Sequence, residues 1–139
     1  MTDAIQDFRD LRVWQGAMTL VTEIYSLLAG FPGHEIYGLS AQLRRSAVSI
    51  PSNVAEGYRR ESTREYLQHL SIAQGSLAEV ETQIELAVRL HYLDAVSGKR
   101  TLDRCSSVGK QLFALRNSLL PKLESRAIRP DSRLPTPDS

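Results

Sequence analysis

Three histidines, one cysteine, a run of spaced serines and two arginine pairs are the side chains of this 139-residue chain that could do chemistry. A di-metal carboxylate site in a helical bundle needs Glu-x-x-His pairs on two inward-facing helices. The residues three before His34, His69 and His91 are Phe31, Tyr66 and Val88, so that motif is absent. Glu65 and His69 stand four apart, the spacing of a helix-surface contact, and no paired Cys or His ligands supply a zinc set. Cys105 falls on an apolar stripe and reads as a small buried hydrophobe. Gly30, Gly33 and Gly38 lack the Lys-Ser/Thr of a phosphate loop, and there is no nucleophile elbow. Ser46, Ser49 and Ser52 recur every three residues and read as one thin helix face. Glu56 lies near them and names no partner for acid catalysis; it fits a polar contact at a helix–helix interface. The chain is therefore expected to be no enzyme, with no metal, cofactor or small-molecule substrate.

The elements that position these residues follow from apolar spacing, which is 3 or 4 throughout. The first segment reads Leu11, Trp14, Met18, Val21, Tyr25, Leu28, and the second Leu39, Leu43, Ala47, Ile50, Val54, with Gly57 in step. The third reads Tyr66, Leu70, Ala73, Leu77, Val80, Ile84, Ala87, and the fourth Cys105, Leu112, Leu115, Leu119, Leu123, with Leu102 and Val108 at its edges. No segment alternates as a half-buried strand does. The pattern predicts an all-α antiparallel up-down four-helix bundle with helices at about 8–29, 35–60, 63–93 and 99–125. The breakers are Phe31-Pro32-Gly33-His34, the Ser62/Glu65 capping box, and Val96-Ser97-Gly98-Lys99. Pro51 is expected to bend the second helix; a break into two helices at Ile50 is the competing reading. Residues 1–126 form one domain in this reading, and 127–139 a Pro-rich irregular tail.

Composition is that of an ordinary globular protein, with 42% hydrophobic and 24% charged residues. The longest uncharged stretch, 66–78, is too short and too polar to span a bilayer, and the acidic N-terminal segment is no signal peptide. With one Cys and no disulfide, the expected location is cytoplasmic. Lys and Arg number 17 against 16 Asp and Glu, but the charges are sorted. Residues 1–40 carry two basic and five acidic groups, 41–64 five and two, 65–94 one and five, and 95–126 seven and two.

Opposite the apolar stripe of the second helix, helical geometry places Arg44, Arg45, Arg59 and Arg60 around a small-sided middle of Ser49, Ser52, Asn53 and Glu56. The gap from Arg45 to Arg59 is about 21 Å at 1.5 Å per residue. Small side chains let another backbone approach, so this face is expected to meet a neighbouring subunit; an ordinary solvated face is the alternative. Arg100, Arg104 and Lys110 belong to a more basic fourth helix. Repeated around an oligomer, such cations would bind a polyanion that a monomer of net charge +1 would not attract.

Several motifs together resemble the four-helix bundle family of ribosomal-RNA intervening-sequence proteins. They are Asp10-Leu11 with Val13-Trp14-Gln15, Phe31-Pro32, Glu35, Tyr37-Gly38-Leu39, Gln42, Arg44-Arg45, Ser49 through Gly57, Arg60, Ser62, Ile72-Ala73, Gly75-Ser76-Leu77, Glu79 and Glu81-Thr82-Gln83. The resemblance implies a bundle assembling as a homopentamer. A related branch, the accessory variability determinant of diversity-generating retroelements, implies binding of nucleic acid and of a reverse transcriptase; nothing in this chain is specific to that branch. Ser46 stands where Ala is usual and His69 where Phe is common, which puts a polar ring in a semi-buried position. The expected partners are the chain itself, as a pentamer, and RNA or DNA contacted at phosphates by Arg44, Arg45, Arg59, Arg60, Arg100, Arg104 and Lys110. A protein-interaction scaffold without nucleic acid remains the alternative.

Overall fold

A computed structural model describes residues 4–127, with side chains through Leu123. Four α-helices and no strands occur among them: α1 (Arg12–Leu28), α2 (Leu39–Tyr58), α3 (Thr63–Arg89) and α4 (Ala95–Ala127). α1 packs on α2, α2 on α3, α3 on α4, and α4 returns to α1. Among the described residues the diagonal pairs make no close backbone approach, so the core lies inside a ring of four helices. The segment expected as an irregular tail lies outside the described residues except for Ala127, which still belongs to α4.

The stripes on α2 and α3 are buried as their spacing predicts: Leu43, Ala47, Ile50 and Val54 face Leu70, Ala73, Val80, Ile84 and Ala87 across the core. On α4, Cys105, Val108, Leu112 and Leu119 are buried, so Val108 belongs to the stripe itself and not to its edge. α1 departs from expectation. Its core face is Val13, Ala17, Leu20 and Ile24, while Met18 and Tyr25 of the expected stripe are 41% and 48% exposed. This helix has two apolar stripes, and spacing alone does not say which one the other three helices cover.

Helix ends also moved, for local reasons. Residues 8–10 form a separate 3₁₀ turn whose Asp10 carboxylate accepts the Gln6 and Asp7 amides, and Leu11 is extended before α1 begins. Residues 33–35 form a second such turn; Glu35 then caps α2 by accepting the Leu39 amide at 2.9 Å. α2 runs unbroken through Pro51, so the two-helix alternative is set aside. Ser62 caps α3, accepting the Glu65 amide at 3.0 Å. α3 stops at Arg89 because His91 adopts a left-handed conformation (φ 64°). The Tyr92 amide then reaches the Ala87 carbonyl and the His91 amide that of Val88, satisfying the last carbonyls.

The expected breaker Val96-Ser97-Gly98-Lys99 is instead the first turn of α4. Asp94 caps it, accepting the Ser97 amide at 2.8 Å, a bond that holds its carboxyl below the usual aspartate range. Gly98 is there for packing: a Cβ would lie 2.5 Å from Val88 Cγ2, so its absence lets α4 approach α3.

Candidate functional site

The polar residues of α2 face α3 more than the helical wheel implies. Ser46 Oγ donates to Glu79 at 3.2 Å, and Ser76 Oγ donates to Ser49 Oγ at 2.7 Å. Asn53 Nδ2 donates to the Ser49 carbonyl and hydroxyl, and its Oδ1 lies 3.0 Å from His69 Nδ1. The Arg60 Nε–H donates to His69 Nε2 at 3.3 Å. An acceptor role for Nε2 places the imidazole proton on Nδ1, which then donates to Asn53. A chain of hydrogen bonds thus runs Arg60–His69–Asn53–Ser49–Ser76 along one seam of the bundle, and His69 is half-buried within it.

Gly57 makes that seam possible, because a Cβ there would sit 2.9 Å from both His69 Cβ and Tyr66 Cδ1. Tyr66 packs edge-on against Tyr58, and burial, reinforced by Tyr58, pushes its hydroxyl up to about 12. Ser49 and Asn53, expected at a subunit interface, therefore make their bonds to α3 of the same chain. In a closed ring each helix touches two neighbours, so less of its circumference points outward than opposition to one apolar stripe suggests. Ser52 and Glu56 are exposed, as a surface role requires.

The seven cations separate into spent and free groups. Arg59 pairs with Asp7 at 3.1 Å and lies 5.1 Å above the Phe8 ring. Arg60 is engaged by His69. Arg104 pairs with Glu23, which also accepts the buried Thr101 hydroxyl at 2.8 Å and so ties α1 to α4. Among the described residues Arg100 reaches Ser97, at 3.5 Å, and Lys110 is exposed beside a groove that includes Phe113 and Glu81. Arg44 donates to the Ile36 carbonyl at 3.2 Å, and Arg45 is exposed on the rim of a cleft of about 250 Å³ with Ser46, Ser49, Ser76 and Glu79. Neither Arg44 nor Arg45 has a carboxylate partner among the described residues. α2 and α4 are diagonal in the ring, so the structure does not join their cations into one patch within a subunit.

At the Arg44 end, the two helix connections are clamped together. Glu35 accepts the Tyr92 hydroxyl at 2.8 Å in addition to the Leu39 amide. These bonds, the backbone one first, hold its carboxyl below the ordinary glutamate range. Tyr92 also packs on Phe31 at 5.5 Å between centroids. Spacing does not reveal this clamp, because its partners are 57 residues apart.

Cys105 is buried, and that burial, followed by Glu81 and Glu23, pushes its thiol up to about 12; such a thiol stays protonated and unreactive at neutral pH. Among the described residues no group of three or more His, Cys, Asp or Glu is arranged to hold a metal ion, and no helix is long and apolar enough to cross a membrane.

A sequence profile of the family described as 23S rRNA-intervening sequence protein matches residues 9–114. Among solved structures, the chain is similar to a protein of unknown function from the S23 ribosomal protein family of Bacteroides thetaiotaomicron VPI-5482. The two are 22% identical with a TM-score of 0.68, over 75% of this chain and 97% of that one, a likeness of fold. No curated protein matches the chain.

Proposed function

The chain belongs to the 23S rRNA-intervening sequence protein family, and from that premise we propose that it is a non-enzymatic, self-associating bundle that holds nucleic acid by its phosphates through arginines repeated on each subunit. The observation that carries this reading is the pair Arg44 and Arg45, without carboxylate partners among the described residues while Arg59 and Arg104 are neutralised within the fold. Two unpaired guanidiniums on a monomer of net charge +1 are a weak anion site. Repeated around a homopentamer, they become a ring of cations able to follow a phosphate backbone.

Self-association is supported by the second stripe of α1. Trp14 and Val21 are half-buried, Met18 and Tyr25 exposed, and Val48 of α2 is 40% exposed. Apolar surface of this kind, on a helix whose other face is already in the core, suits contact with another copy.

The test is binding of an RNA hairpin by the assembled protein at two salt concentrations, with the mass of the assembly measured under the same conditions. Affinity is expected to fall steeply with salt, and Arg45→Ala to reduce the slope of log K against log salt by about 1 per contacted site. Absence of binding at low salt would falsify the nucleic-acid reading and leave the protein-interaction scaffold. A monomeric mass would remove the repeated surface.

A further inference from the structure

Tyr37 is 92% exposed, more than any other large hydrophobic side chain among the described residues. A lone exposed aromatic is ordinary on a protein surface; this one differs in its mounting and its neighbours.

The mounting is stiff. Tyr37 sits in the connection between α1 and α2, between two buried anchors, Phe31 and Leu39. Inside that connection the Glu35 amide bonds to the Pro32 carbonyl, the Ile36 amide to that of Gly33, and the Gly38 amide to that of Glu35. The Glu35 carboxylate ties the same turn to α2 through Leu39 and to the far connection through Tyr92. A ring on such a turn has only its own two side-chain torsions left to lose on binding.

The neighbours are cationic and apolar. The Arg44 guanidinium lies on the carbonyl of Ile36, the residue just before Tyr37. That bond uses one of its five N–H groups, leaving others for a phosphate. Arg45, next along α2, stands on the rim of the cleft towards α3, where a strand leaving the ring could meet it. Ile36, 51% exposed, adds apolar surface to the same turn.

An open aromatic face one residue from a guanidinium that has no carboxylate partner among the described residues is the arrangement that binds unpaired nucleotides: the base stacks and the backbone phosphate meets the cation. A duplex keeps its bases stacked on each other and offers only phosphates. We infer that Tyr37 is a stacking platform for an unpaired base, so that this end of the bundle selects single-stranded over double-stranded nucleic acid. The inference rests on the phosphate-binding role of Arg44 and Arg45 and adds to it the class of nucleic acid bound.

The experiment uses the full chain, a single-stranded RNA oligonucleotide carrying 2-aminopurine, and the same oligonucleotide annealed to its complement. The wild type is expected to prefer the single strand and to quench 2-aminopurine fluorescence. Tyr37→Ala should lose roughly 5- to 150-fold in single-strand affinity, lose the quenching, and leave duplex affinity and its salt slope unchanged. Tyr37→Phe should retain all three properties. Because the side chain touches little of its own subunit, Tyr37→Ala should melt like the wild type. Equal losses on both nucleic acids, no loss on either, or a change in assembly mass on Tyr37→Ala would overturn the platform; the last would make Tyr37 a subunit contact. Wild-type protein that binds both nucleic acids with normal salt dependence but ignores Tyr37→Ala defeats only this inference. Protein that binds neither defeats this inference and the phosphate-binding role together.

Discussion

The two ends of α2 carry the same dipeptide, Arg44-Arg45 at one and Arg59-Arg60 at the other, and the fold treats them differently. At the second end, Asp7 and Phe8 from the chain's first turn close over Arg59, and His69 of α3 takes Arg60. At the first end, Arg44 rests on a backbone carbonyl and Arg45 faces solvent, while Glu35 accepts from Leu39 and Tyr92, and Glu79, on the cleft that Arg45 rims, accepts from Ser46. Both carboxylates are turned towards other partners, and neither lies within ion-pair distance of Arg44 or Arg45. Identical cationic pairs are thus tied into the fold at one end and left without a carboxylate partner among the described residues at the other, according to where the acidic groups are used.

The largest expected effect falls on the closed end. Gly57→Leu forces a side chain into Tyr66 and His69, where even a Cβ has no room. It should cost about 1–3 kcal/mol, as overpacking does. Urea unfolding measures it, and a variant as stable as the wild type would mean that α2 and α3 are not held tightly there. The next effect concerns acid at the open end. The folded-state pKa of Glu35 is depressed, so its stabilising contribution is fully present above the unfolded value of about 4.3 and is lost as pH falls through the lower folded value. The stability difference between wild type and Glu35→Gln, followed by thermal melting from pH 7 to pH 3, should shrink in that window; a difference constant with pH would sink the assignment. The smallest effect separates the two arginine pairs most directly. Arg59→Ala should lower stability slightly while leaving the salt slope of RNA binding unchanged, in contrast with the loss of about 1 in slope for Arg45→Ala. Equal slopes lost by the two variants would erase the distinction between the ends.

Much of the fold was legible in the sequence, though unevenly. α2 and α3 each have a single apolar stripe, so spacing named their core residues directly. α1 has two, and the expected stripe through Met18 and Tyr25 proved to be the outer one. The inner series Val13, Ala17, Leu20, Ile24 has the same helical spacing and was equally visible in principle; only partners decide between them. α4 begins before Gly98 because Asp94, three residues before Ser97, caps it, and a glycine inside a helix resembles a breaker in sequence. At the candidate site, the residue types were found but their engagements were not: His69 with Asn53, Arg59 with Asp7, and Glu35 with Tyr92 all cross between elements.

The sequence by itself determined that this is an all-helical chain, which residues form most of its core, and that its charges are sorted along the chain. These are consequences of local periodicity, which any stretch of a few turns records. The tertiary structure decided which face of α1 is buried, which arginines are neutralised, and that Tyr37 stands in solvent beside Arg44. Those outcomes depend on pairings between residues up to 81 positions apart, as with Arg104 and Glu23. Helical spacing orders neighbours along one element, but hydrogen bonds and ion pairs are allotted only when elements meet.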